Sequence, residues 1–230
     1  MNSIASPTVV IVPGLGDHDA EHWQTQLSRK LDNVCTVPPL ARDKLSRWAQ
    51  VDELDTTLHE ISGPVVLVAH SAGVLVAAHW AQHPTRPILG ALLATPPDFE
   101  LPLPQGYPST EELNRNGWNP IPRRRLPFRS VVAASTNDPL ACYRRVAGMA
   151  EMWGSRLVDL GRVGHLNPAS GFGYWPLAEE LLQDVIDAGP RTSPRGDTPG
   201  HVEPRHRFDH PLPDAIETPA LGSCSDRTRK

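Results

Sequence analysis

Short, wholly apolar runs punctuate the chain, and amphipathic stretches separate them. Thr8–Val12 (TVVIV), Val65–Ala69 (VVLVA), Ile88–Ala94 (ILGALLA) and Ser130–Ala134 (SVVAA) show no polar alternation. Runs of this kind predict strands buried on both faces. Val34–Val37 and Arg156–Leu160 (RLVDL) add two weaker candidates. Trp23, Leu27 and Leu31 recur at helical spacing in AEHWQTQLSRKL, with Asp19 as the expected cap. Leu45, Trp48, Val51, Leu54 and Leu58 predict a second helix over Asp43–Ile61. Further helices are expected over VLVAAHWAQH (residues 74–83), Leu140–Trp153 and Tyr174–Ile186. Pro96–Pro127 carries no period.

Apolar strands alternating with helices predict an α/β fold. The expected form is an open, doubly wound parallel sheet of about six strands, covered by helices on both faces in three layers. Sites in such folds form at the carboxyl ends of the strands. The pattern stops near Gly189. Beyond it Pro190, Pro194, Pro199, Pro204, Pro211, Pro213 and Pro219 interrupt isolated apolar residues, too few to offset the entropy of ordering the segment. The expected organisation is one domain over residues 5–188 and a disordered tail over 189–230.

Composition narrows the function classes. Of 230 residues, 22 are basic and 26 acidic, a net charge of -4 that argues against nucleic acid as a partner. No apolar run approaches the roughly 20 residues of a membrane-spanning helix, and MNSIASP lacks the basic start of a secretory signal. Cys35, Cys142 and Cys224 have no CxxC spacing, so neither a disulfide framework nor a zinc ribbon is indicated. The expected setting is the cytoplasm.

The chemistry falls on strand ends. Ala69-His70-Ser71-Ala72-Gly73 follows an apolar strand and opens a helix. A serine on such a turn projects its hydroxyl over the sheet edge, with a helix N-terminus behind it. Ala69 stands where the G-x-S-x-G pattern has its first glycine, and a helix-capping serine is the simpler alternative. A serine nucleophile also needs a base and an orienting acid. SVVAA runs into Asp138 and RLVDL into His165, each just after a strand and in the order serine, acid, histidine. The exit of the first strand, Pro13-Gly14-Leu15-Gly16, is placed to offer the Leu15 N–H to an oxyanion beside that of Ala72.

These residues resemble the small serine hydrolases of the α/β-hydrolase superfamily, in particular the retinoblastoma-binding-protein-9-like group. The likeness covers roughly residues 8–186. It rests on VPGLGD with EHWQ, on AHSAG and STNDP, and on WGSRLVDLG and GHLNPASGFGYWP. It implies a compact α/β-hydrolase-like sheet and Ser71, Asp138 and His165 as catalytic residues. The expected function is hydrolysis of an ester or amide, carboxylesterase-like or amidase/peptidase-like, through an acyl-enzyme. A small-molecule or short acyl substrate is expected, with no metal, no cofactor and no membrane. The alternative is a non-enzymatic binding protein that keeps the fold.

Other features compete less well. His18, Glu21 and His22 match H-x-x-E-H, a zinc-binding spacing, but no third ligand is evident. Arg123-Arg124-Arg125 reads as a solvated loop, or as a contact for an acidic substrate. Residues 98–126 are a candidate lid, in which Tyr107 and Trp118 are candidate substrate contacts. His70, beside the nucleophile, is a third.

Overall fold

A computed structural model describes residues 6–16 and 19–189. Most of the proline-rich segment therefore lies outside the described residues, and so does His18.

Six strands form one parallel sheet: β1 (Thr8–Val12), β2 (Val34–Thr36), β3 (Val65–His70), β4 (Gly90–Ala94), β5 (Arg129–Ala134) and β6 (Arg156–Asp159). Their order is β2-β1-β3-β4-β5-β6. The chain moves outward from β1 to β2, then returns to the other side of β1 as β3. The strand order reverses at that point, and the exits of β1 and β3 flank a crevice, where ligands bind in open α/β sheets. Direct pairing of Val12 with Ala69 brings Pro13–Gly16 alongside Ser71.

Alternate strand residues feed two cores. Val10, Val12, Leu67, Ala69, Leu93 and Val132 pack under α2 (Arg47–His59), α3 (Ala72–Trp80) and α5 (Tyr143–Trp153). Val9, Ile11, Val66, Val68, Leu92 and Val131 pack on the opposite face, under α1 (Trp23–Ser28) and α6 (Leu177–Asp187). Every residue of β1, β3 and β4 is buried, which is why these runs carry no polar alternation.

The structure departs from the sequence pattern at the starts of α1 and α2 and in the stretch without period. His22, not Asp19, caps α1, its Nδ1 accepting from the Gln24 N–H at 3.2 Å. Asp19 instead accepts from the Glu21 N–H, stabilising the turn before the helix. The second helix starts at Arg47 rather than Asp43, because Asp43 has φ 51° and Ser46 takes the cap. The stretch without period holds a short helix, α4 (Thr110–Arg115), nucleated by a capping box between Ser109 and Glu112.

Candidate active site

Ser71 occupies a strained turn. It stands between β3 and α3 with φ 55° and ψ -130°, a region that L-residues seldom enter. Backbone bonds hold it there: its N–H donates to the Ala94 carbonyl at 3.0 Å, and its carbonyl accepts from the Val74 N–H at 2.9 Å. Its hydroxyl does not cap α3. Close packing explains the small neighbours. A Cβ at Gly73 would collide with the carbonyl oxygens of Val12 and Pro13, and one at Gly14 would press on Ser71 Cβ at 3.2 Å. Ala69 is fully buried, and its single methyl fits where the G-x-S-x-G pattern has glycine.

Asp138 and His165 reach this serine from the ends of β5 and β6. His165 Nε2 lies 2.8 Å from Ser71 Oγ. His165 Nδ1 lies 3.0 and 2.9 Å from the two Asp138 oxygens. An ionised carboxylate only accepts, so Nδ1 carries the proton and Nε2 is left to accept from the serine hydroxyl. Asp138 Oδ1 also accepts from the Leu140 N–H at 2.9 Å. Both side chains are shielded from water, at 6% and 1% exposure. The two loops are laced together. Asn137 Oδ1 accepts from the Gly164 N–H at 2.8 Å, and Ser170 Oγ accepts from the His165 N–H at 3.1 Å.

His70 supports the assembly from beneath. Its Nε2–H donates to the His165 carbonyl at 2.9 Å, with Thr95 Oγ1 at 3.5 Å from the same oxygen. Burial, then the neighbouring His165 and His22 rings, push His70 well below the ordinary imidazole value. It is therefore neutral at physiological pH, and the carbonyl it serves fixes its tautomer. Gln24 has a similar bracing role. Its Nε2 donates to the carbonyls of Val12 and Val68 at 3.2 and 3.0 Å, closing the gap between the β1 and β3 exits. The hydrophobic pattern alone gives no sign of Gln24, Thr95, Asn137 or Ser170, because each role depends on a partner distant in sequence or on a loop.

A cavity of about 560 Å³ opens over Ser71 and His165. Leu15, Ala72, His70 and Tyr107 are among the residues that line it. Ala72 is the first residue of α3, where an N–H has no intrahelical acceptor. Trp118 departs from the expectation. It is fully buried, its indole N–H donates to the Leu45 carbonyl at 2.7 Å, and it backs the cavity wall by packing edge-on against Phe99. Its size and apolar face are used for packing the loop rather than for contact with the cavity.

The competing features resolve differently. His22 Nδ1 is used as a helix cap, and the described residues hold no group of three His, Cys, Asp or Glu side chains suited to a metal. Arg123 is turned onto Glu100 at 3.1 Å. Among the described residues no helix is long and apolar enough to cross a membrane.

Comparison with known proteins agrees with this architecture. No curated protein sequence matches the chain. A YdeN-like hydrolase from Pectobacterium atrosepticum is 29% identical with a TM-score of 0.67, over 80% of this chain and 92% of that one. The ydeN product of B. subtilis is 20% identical with a TM-score of 0.58, over 79% of this chain and 100% of that one. Est1E from Butyrivibrio proteoclasticus, solved with ferulic acid bound, shares the fold at 12% identity and a TM-score of 0.59, over 81% and 89%. The serine hydrolase family model matches residues 9–184, and the chain accordingly belongs to the serine hydrolase family.

Proposed function

We propose that Ser71, His165 and Asp138 are the catalytic residues of this hydrolase and that they cleave an ester or amide through an acyl-enzyme. The unbroken hydrogen-bond chain from Ser71 Oγ through His165 to Asp138, on a positive-φ turn, carries the reading. Ser71 Oγ attacks the substrate carbonyl as its proton passes to His165 Nε2. Asp138 holds the tautomer and faces the imidazolium that forms. The N–H groups of Ala72 and Leu15 receive the oxyanion. His165 then gives its proton to the leaving group, and the acyl group stays on Ser71. Water attacks the acyl carbon, His165 takes a proton from it, and Ser71 regains its hydroxyl as the acid departs.

We further place the chain in the retinoblastoma-binding-protein-9-like group, supported by AHSAG, STNDP and GHLNPASGFGYWP, which supply the three residues and their loops. Subcellular fractionation tests the cytoplasmic setting that accompanies this reading.

Labelling of the purified chain with a fluorophosphonate is the direct test. Wild type is expected to label at Ser71. Ser71→Ala and His165→Ala are expected to lose labelling and to lower kcat by at least about 10⁴-fold. Chelation is expected to leave turnover unchanged, whereas a metal-dependent reaction through His22 would lose it. A folded wild type that fails to label would favour the binding-protein alternative.

A further inference from the structure

The cavity over Ser71 has two unlike walls that grow from opposite faces of the sheet. On one side Leu15, Leu45, Phe99 and Leu103 line it and pack with the core beneath α2, α3 and α5. Tyr107, 46% exposed, continues this wall to solvent. On the other side Asp19, His22, Gln24 and Asn167 supply most of the lining, with Ile11 of the opposite core among them; Lys44 adjoins Leu45 on the first side. His22 and Gln24 flank Trp23, and His165 and Asn167 flank Leu166; Trp23 and Leu166 belong to the opposite core. From this asymmetry, and resting on the catalytic reading above, we infer that the enzyme takes an apolar acyl group longer than acetyl along the Leu15–Leu103 wall. The leaving group lies along the polar wall.

Proton transfer decides which part goes where. The leaving atom must receive its proton from His165 Nε2, so the leaving group belongs on the side of His165, Asn167 and His22. The carbonyl oxygen lies between the N–H groups of Leu15 and Ala72. The acyl chain is then left with the wall that begins at Leu15. That wall is fixed in place. Phe99 is 3% exposed and meets Trp118 edge-on, ring centroids 5.3 Å apart. Trp118 is bonded to the Leu45 carbonyl, and Asn119 Nδ2 donates to the Phe99 carbonyl at 2.7 Å. A rigid apolar wall beside a nucleophile gains binding energy only when apolar surface covers it. Each methylene laid on it is worth about fourfold in kcat/KM.

The experiment uses the full chain and p-nitrophenyl acetate, butyrate and octanoate, with fluorophosphonate labelling run in parallel. From acetate to butyrate kcat/KM is expected to rise about fourfold per methylene. Leu103→Ala is expected to cut the octanoate-to-acetate ratio about tenfold. Tyr107→Ala, at the exposed rim, is expected to cut it by a smaller factor, and it serves where Leu103→Ala does not fold. A labelled enzyme whose kcat/KM is flat or falls with acyl length overturns the inference, as does a ratio unmoved by the variants. So does a series of acetate esters in which lengthening the alcohol gives the same gain. Absence of labelling overturns the catalytic reading instead.

Discussion

Ser71 bears backbone strain that its neighbours maintain. With φ at 55°, the turn persists because Ala94 and Val74 bond it on either side and Gly73 lets α3 start against the carbonyls of Val12 and Pro13. Gly73→Ala is expected to lower stability by about 1–3 kcal/mol, since only rigid backbone is available to give way; thermal unfolding checks it. Asp138→Asn keeps the shape but presents an N–H to His165 Nδ1 and favours the wrong tautomer. A fall in kcat of about 10⁴-fold is expected, with folding intact. His70 positions His165 through its carbonyl without reaching the reacting atoms. His70→Ala is expected to lower kcat about tenfold with little change in KM. His70→Gln, which keeps an N–H donor, is expected to recover most of it. Ser71, Asp138 and His165 stand out in the sequence because each follows a predicted strand at a turn. Gln24 and Thr95 are not, because a buried amide or hydroxyl looks like any other polar residue until its partners are known.

At the scale of elements, the segment between β4 and β5 is clamped rather than loose. Arg145 on α5 donates to Asp98 at 2.7 and 3.0 Å and to Glu100 at 2.7 Å. Arg123 reaches Glu100 from the other side, and the Ile121 N–H bonds it as well. Asp98 is 2% exposed, so Arg145→Ala would strand a buried carboxylate. A loss of about 2–4 kcal/mol is expected by chemical denaturation. Arg145→Lys is expected to recover only part of it, lacking the planar fork. Burial pushes Glu100 up, but Arg145, the Ile121 N–H and Arg123 outweigh it and hold the carboxyl below its ordinary value. Glu100 therefore contributes stability that is present at neutral pH and lost as pH falls below the usual carboxylate range. The proline-rich sequence here hides the clamp because its members are spread over nearly fifty positions, from Asp98 to Arg145. The short helix within it did leave a trace, Ser109-Thr110-Glu111-Glu112, a capping-box pattern without the apolar period that marks longer helices.

Across the whole molecule, two histidines, His70 buried and His79 half-buried, shape how stability responds to mild acid. His79 on α3 donates its Nε2–H to the Trp118 carbonyl at 3.1 Å. Burial lowers it to about 4, with Arg47 acting in the same direction against the Trp118 bond. His70 is lowered too, chiefly by burial. Below the ordinary value of 6.5 the unfolded chain binds protons that the folded chain refuses. Stability should therefore be greatest above about 6.5 and fall as pH drops toward 4. Thermal unfolding across that window is expected to show a falling Tm. His79→Gln, which keeps a donor and cannot titrate, is expected to flatten the slope.

Residues adjacent in the chain encode the class of fold and the order of the chemistry. Short apolar runs rich in β-branched residues and bounded by turn residues read as strands covered on both faces, and the turns that end them are where a serine, an acid and a histidine become available. Those are local properties, written in adjacent residues. Tertiary structure alone decided the rest. The reversal of strand order between β1 and β3 placed Leu15 beside Ser71, a register no single segment encodes. It buried Trp118 behind Phe99 and gave the cavity its apolar and polar walls, because walls belong to opposite faces of a sheet that exists only once the strands have paired. It also made His70, a candidate substrate contact in the sequence, the support of His165. Contacts of that kind depend on distances across the fold, and spacing along the chain does not contain them.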